Sequence, residues 1–214
     1  RSNAMRALML SGSDLPVRVD PRKHPKAGTG FLQVENQLQQ GSCQGNSLSD
    51  CVEYAYMVAT GEVVQISREY AYIASQMENN IKGDSGSTLE GGSRAAQKGI
   101  CSEAVGPYRT SYPGWSYITD EMRKDADNYK LMTWVEIKSA DHVRQFIGSG
   151  IGIVQIGITW GNDMTPDGNG CIRSFSGRGG GGHAITFAGY VPDDDVGQKS
   201  SAGYWLLLKN SWGK

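Results

Sequence analysis

Gln37-Leu-Gln-Gln-Gly-Ser-Cys43 runs straight into a helical pattern. Leu48, Cys51, Val52, Ala55, Tyr56 and Ala59 recur at helical spacing, and Gly61 stands where a helix ends. The pattern predicts a helix over about 43–60 whose first residue is a cysteine. The first turn of a helix leaves backbone N–H groups unpaired and carries the positive end of the dipole, so it favours negative charge. A thiol attacks a carbonyl well only as thiolate. Two further pieces lie far downstream, Gly182-His183-Ala184 and Lys209-Asn210-Ser211-Trp212. An imidazole takes the proton of a thiol, and a side-chain amide holds the imidazole's tautomer and ring plane. Cys43, His183 and Asn210 are therefore the residue types of an acyl-transfer site. Gln37, through its side-chain amide, and the backbone N–H of Cys43 would supply two donors to the oxyanion of a tetrahedral intermediate. Trp212 would shield the His183–Asn210 pair from water.

Outward from this segment the chain divides in character. Residues 5–36 are irregular, with Pro16, Pro21 and Pro25 breaking any helix. Ser67-Arg-Glu-Tyr70 reads as a cap and first turn of a second helix to about Glu78. Residues 82–93 form a Gly- and Ser-rich loop, a short helix over about 88–98 stops at Gly99, and 119–127 is a charged surface helix. Beyond Tyr129 strands take over. Lys130 to Lys138 alternates as one, Ser139 caps a short helix through Ile147, and Ile151 to Ile158 reads as a buried strand. Ala184 to Tyr190 and Tyr204 to Lys209 are two more, separated by Gly-rich loops at 161–182 and 192–203. The expectation is an α+β protein of two lobes, helical over about 37–128 and β-rich over about 129–214 together with the N-terminal segment. A helix-borne nucleophile and a strand-borne base would meet in the cleft between them.

Bulk properties exclude several alternatives. Formal net charge is −1 over 214 residues, so no basic field recommends nucleic acid or an anionic membrane. Tyr204 to Leu208, the longest apolar run near the end, is too short to span a bilayer. Residues 1–4 read as an expression scar before Met5, and the residues that follow are thinner than a secretory h-region, which predicts a cytoplasmic protein. The four cysteines form no Cys-x-x-Cys pair, so no zinc site is expected, and free thiols are. Cys51 and Cys101 read as core; Cys171 reads as either a surface thiol or a resolving cysteine. His24 and His142 are expected in solvent. Asp193 to Asp195 read as a solvated hairpin tip, not a calcium loop. The Gly179 to Gly182 run lacks the Lys-Ser/Thr of a phosphate loop.

Taken together these blocks resemble the papain family of cysteine peptidases, with features of its bacterial and phage-type members. The resemblance is carried by Leu15 to Asp20, Val34-Glu-Asn-Gln37, Gly41-Ser-Cys43-Gln-Gly-Asn-Ser-Leu48, Gly99 to Glu103 with Pro107-Tyr108, Gly182-His183-Ala184 with Gly189-Tyr190, and Lys209 to Gly213. It implies a single catalytic domain over 5–214 with a helical left lobe and a β-barrel-like right lobe. It implies a cysteine endopeptidase or related peptidase, with Cys43 as nucleophile, His183 as base and acid, Asn210 orienting it and Gln37 at the oxyanion. No cofactor or metal is implied; a peptide or protein substrate and a proteinaceous inhibitor are the implied partners. Ser85, Gly86 and Ser87 align with a segment whose backbone pairs with extended substrate. Trp212 borders the leaving-group side, and Ala184, Ile158 and Thr88 lie near the specificity pocket.

A rival register, reading Gln40-Gly-Ser-Cys43 as the family's Gln-Gly-Ser-Cys, would put Asn46 at the nucleophile. The family's Gln stands six residues before its nucleophile, as Gln37 does before Cys43, which favours Cys43. The sequence departs from the family in four ways. Gln40 and Gly83 stand where many relatives carry a disulfide, and Gln44 replaces an aromatic beside the nucleophile. Residues 5–20 are too few for the family's long propeptide, and Lys214 falls before the place where the resemblance leads one to expect the family's final strand. A catalytically silent binding protein, and an acyltransferase or isopeptidase with the same triad, are the alternative readings.

Overall fold

The computed structural model describes residues 14–173 and 176–213. Helix α1, Cys43–Thr60, ends where Gly61 turns left-handed at φ 76° and gives its N–H to the Met57 carbonyl. Helix α2, Arg68–Glu78, is capped by the Ser67 side chain accepting the Tyr70 N–H. Helix α3, Leu89–Lys98, is capped in the same way by Thr88 and the Gly91 N–H. Each of these caps satisfies a first-turn donor that the helix itself cannot. Leu48 and Val52 of α1, Tyr70, Ala71 and Ile73 of α2, and Ala95 and Ala96 of α3 share one buried core with Ile100 and Cys101. A short helix α4, Asp120–Ala126, adds Met122 and Ala126 to it.

The second half is built on a three-stranded antiparallel sheet in the order β1-β2-β3. Its strands are β1 Val154–Trp160, β2 Gly181–Pro192 and β3 Tyr204–Lys209. Helix α5, Ala140–Gly148, lays Val143 and Ile147 on it against Val154, Tyr190 and Tyr204. A one-turn helix α6, Asp193–Val196, follows β2. The N-terminal segment crosses the sheet as a strap, with Val19 and Tyr190 exchanging backbone bonds of 2.9 and 2.8 Å. Gly189 permits that approach, since a Cβ there would lie 2.1 Å from the Val19 carbonyl oxygen.

Helix α1 joins the halves. One side carries Leu48 and Val52 into the helical core; another carries Tyr54 and Met57 into a cluster with Phe31, Ile153 and Ala188. Between these faces runs a polar seam. Ser47 donates to the Ile185 carbonyl at 2.8 Å, Thr186 Oγ1 lies 2.9 Å from Asp50 Oδ2, and Lys209 Nζ lies 2.6 Å from Asp50 Oδ1.

The α+β organisation and the first three helices stand where the sequence places them. Residues 130–138 do not form the expected strand. Leu131, Val135 and Ile137 turn inward and their neighbours outward, but the segment joins no ladder among the described residues. Alternation reports a two-sided environment, and here that environment is not a sheet. β1 starts three residues later than expected and is half-buried, as suits an edge strand. β2 takes in Gly181 and Gly182, which the sequence assigns to a loop. No β-barrel is formed among the described residues. His24 is half-buried against Phe31, and His142 is half-buried too. Cys171 is buried, which contradicts a surface thiol, and Asp193 is buried and holds the Ser200 N–H and hydroxyl.

Candidate active site

Cys43 opens α1 and is half-buried, with a free thiol. Ser47 lies one turn later on the same face and is bonded to Ile185, two residues past His183. Asp50, further along α1, meets Thr186. Helix and strand therefore advance together, and Cys43 lies toward the His183 end of β2.

His183 is 9% exposed, and its Nε2 lies 2.8 Å from Asn210 Oδ1. That oxygen also accepts the Ser211 N–H at 2.8 Å, so it acts as acceptor and the imidazole Nε2 carries a proton. Nδ1 is left as the nitrogen that can take or give a second one. Burial lowers the proton affinity of His183, and the Asn210 bond partly restores it. Trp212 stacks on the imidazole at 4.8 Å between centroids, while Trp160 meets the ring edge-on at 5.5 Å and Trp212 at 4.9 Å. Trp212 is itself half open to solvent, so it forms a lid over the His183–Asn210 bond.

Gln37 is buried. Its N–H donates to the Ser211 carbonyl at 2.7 Å, its Oε1 accepts the Ser211 hydroxyl at 2.6 Å, and Nε2 gives one N–H to the Gln40 carbonyl at 2.9 Å. The amide orientation is thereby set, with one N–H left over. Ser211 thus links Gln37 to Asn210. Ser42, which precedes Cys43, makes no side-chain cap; its hydroxyl lies 2.5 Å from the Tyr108 hydroxyl. First-turn N–H groups of α1, including that of Cys43, are not engaged by a capping side chain.

Sequence reasoning singled out Ser85, Gly86 and Ser87, and they line the same region on the α2–α3 side. The backbone of Gly86 is turned inward: its N–H donates to the Tyr72 hydroxyl at 3.1 Å and its carbonyl accepts Gln76 at 2.9 Å. The Ser87 hydroxyl donates to Gln44 Oε1 at 2.7 Å, which gives the buried Gln44 a half-buried partner beside the nucleophile. Gln40 and Gly83 are joined by no covalent link. Instead Asp84 Oδ1 accepts the Gly41 N–H at 2.7 Å and the Tyr72 hydroxyl at 2.8 Å. Thr88 caps α3.

Sequence reasoning missed Ser211, Tyr108, Trp160, Tyr72 and Asp84. Ser211 sits between two residues it did flag, and Tyr108 closes a Pro-Tyr pair it quoted. The remaining three carry no local signal. No group of residues able to hold a metal ion occurs among the described residues, nor a helix long and apolar enough to cross a membrane.

Comparison with known proteins gives the arrangement a context. The family model for papain family cysteine proteases matches residues 15–214. Xylellain, a cysteine protease from Xylella fastidiosa, is similar in structure with a TM-score of 0.67 at 22% identity, over 94% of this chain and 81% of that one. The bromelain protease from Ananas comosus, solved in complex with the E64 inhibitor, gives 0.70 at 18%, over 93% and 84%. Digestive procathepsin L 3 from Tenebrio molitor larval midgut gives 0.68 at 20%, over 93% and 60%. At these identities each likeness is one of fold.

Proposed function

Because the chain belongs to the papain family of cysteine proteases, we propose that it hydrolyses peptide bonds through a thioester on Cys43. His183 Nδ1 takes the thiol proton, and the sulfur forms a bond to the substrate carbonyl carbon. The carbonyl electrons move onto oxygen, which the spare Gln37 N–H and the Cys43 N–H stabilise. The imidazolium returns its proton to the amine as the C–N bond breaks. Water, deprotonated by the same imidazole, then releases the acid and the thiol. A thiolate opposite His183 favours the imidazolium and works against the effect of burial.

The observation that carries this reading is the His183 Nε2 to Asn210 Oδ1 bond at 2.8 Å, locked by the Ser211 N–H and covered by Trp212. It leaves Nδ1 with no other described role. A silent binding protein would need none of this geometry. The same groups also serve transfer to an amine instead of water, so product analysis in the presence of an added amine distinguishes hydrolysis from aminolysis.

Alkylation with dilute iodoacetamide between pH 5 and 8, read by peptide mass spectrometry, tests the reading. Cys51 and Cys101 are internal controls, because burial pushes both thiols up to about 12. At pH 8 about one in 10,000 of such thiols is ionised. Cys43 is expected to label selectively well below pH 8, and His183→Ala to abolish that selectivity. Labelling of Cys43 no faster than the controls would leave a silent cleft as the better reading.

A further inference from the structure

The turn from Gln37 to Cys43 carries both proposed oxyanion donors, one at each end, and one half-buried side chain, Tyr108, spans it. The Tyr108 hydroxyl donates to the Gln37 carbonyl at 2.9 Å. A phenol has one proton, so the 2.5 Å contact with Ser42 must have Ser42 as donor. Ser42 Oγ in turn accepts an N–H of Asn46 Nδ2 at 3.1 Å, and a bond from the same nitrogen to the Ser42 carbonyl measures 3.0 Å. A single direction of donation therefore runs from Asn46 in the first turns of α1, through Ser42, to Tyr108, and ends on Gln37. Asn46 and Ser42 are almost fully buried. The Tyr108 ring is pinned from outside by the Arg68 guanidinium, 4.2 Å from its centroid, and Glu103 accepts its N–H at 2.7 Å. Ser42 spends its hydroxyl on this chain and so does not cap the helix.

We propose that Tyr108 is a positioning residue for the oxyanion site, its hydroxyl setting the separation between the Gln37 amide and the Cys43 N–H. This inference rests on the peptidase reading above. Tyr108 touches no reacting atom; it acts through Gln37 and Ser42. Its effect belongs to steps that build negative charge on a carbonyl oxygen. Alkylation by iodoacetamide displaces iodide at a saturated carbon and builds no such oxyanion, so it does not use the device.

Tyr108→Phe keeps the ring over Arg68 and removes only the hydroxyl. Ser42→Ala cuts the chain one link earlier and is a second, independent variant. Four quantities are measured on each: kcat and KM for a peptide substrate, Ki for a peptide aldehyde that adds Cys43 to form a tetrahedral adduct, and the rate of Cys43 alkylation by iodoacetamide. For Tyr108→Phe, kcat is expected to fall by about 10–100-fold, as for a donor displaced by a fraction of an ångström. KM should stay within about twofold, aldehyde binding should weaken in parallel with kcat, and alkylation should stay within about twofold of wild type. Ser42→Ala should move the same quantities in the same direction and less far. Parallel loss of kcat and alkylation in both variants, or loss of the folded state in both, would assign the chain a structural role and overturn the proposal; so would an unchanged kcat. Slow alkylation of Cys43 in the wild type would instead remove the peptidase reading itself, which separates the two failures.

Discussion

At the scale of single residues, the chemistry rests on which proton sits on which nitrogen. Asn210 holds the Nε2 proton of His183 and raises the affinity of the ring for a second one, against a burial that lowers it. Asn210→Ala removes the raising contribution. In a Cys43→Ser background, where no thiol perturbs the ring, the His183 titration followed by NMR is expected to move to lower pH in Asn210→Ala. In the active background the loss of an oriented, charge-assisted bond of about 1.5–3 kcal/mol predicts a kcat/KM lower by about 10–100-fold. An unmoved titration would mean that Asn210 does not hold the ring. Cys43, His183, Asn210 and Gln37 were legible in the sequence because family motifs mark them and their chemistry needs particular residue types. Ser211, Tyr108 and Asp84 were not, because each matters through a backbone group far away in sequence. Tyr108 meets Gln37 across 71 positions, and Asp84 meets Gly41 across 43.

At the scale of elements, α1 must lie very close to α2 for the nucleophile to face the sheet, and Gly45 is where they touch. A Cβ on Gly45 would lie 2.7 Å from the Arg68 carbonyl oxygen, the Tyr72 N and the Tyr72 Cβ. Alanine favours a helix interior over glycine by about 1 kcal/mol. Overpacking against atoms that cannot swing away costs about 1–3 kcal/mol or more. The contact is with backbone, so the clash wins: Gly45→Ala is expected to lower the melting temperature by several degrees and to slow Cys43 alkylation as α1 shifts. Gly61→Ala is the matched control. A Cβ there meets nothing within 4 Å, and only the left-handed φ of 76° opposes it, at about 1 kcal/mol. Equal melting temperatures for the two variants would refute the crossing as the constraint. Helix α1 was legible from end to end because periodicity, a first-turn cysteine and a terminal glycine agreed. Residues 130–138 were misread because their alternating burial has the period of a strand without the ladder, and hydrogen-bond partners are not written in a local pattern.

At the scale of the whole molecule, the two halves meet along α1 across carboxylates that have little access to water. Asp50 is paired with Lys209, the residue before Asn210, so the ion pair anchors the end of β3 that presents the orienting amide. Glu53, one turn further, is almost as deeply buried and, among the described residues, has only the Ile66 N–H, at 3.0 Å, as its hydrogen-bond partner. Burial pushes the Glu53 carboxyl well above its ordinary 4.5, and neighbouring Asp50 adds to the rise. A carboxyl raised by folding stabilises the native state fully below the unfolded value, and that contribution is lost as pH rises through the folded value. In the unfolded chain Glu53 ionises above about 4.5 and in the folded chain only at higher pH, a slope of up to about 1.4 kcal/mol per pH unit between the two values from this group alone. Glu53→Gln keeps an acceptor oxygen for Ile66 and has nothing to ionise. In the Cys43→Ser background, to prevent self-digestion, urea midpoints at pH 5 and pH 8 should therefore respond unequally. The variant is expected to gain on its parent at pH 8 relative to pH 5. An equal effect at both values would mean that Glu53 is ionised when folded and belongs with Asp50 and Lys209 in one charged network. Burial is the largest influence on Glu53 and no cation among the described residues is bonded to it, so the neutral carboxyl is the state expected to hold the two halves together.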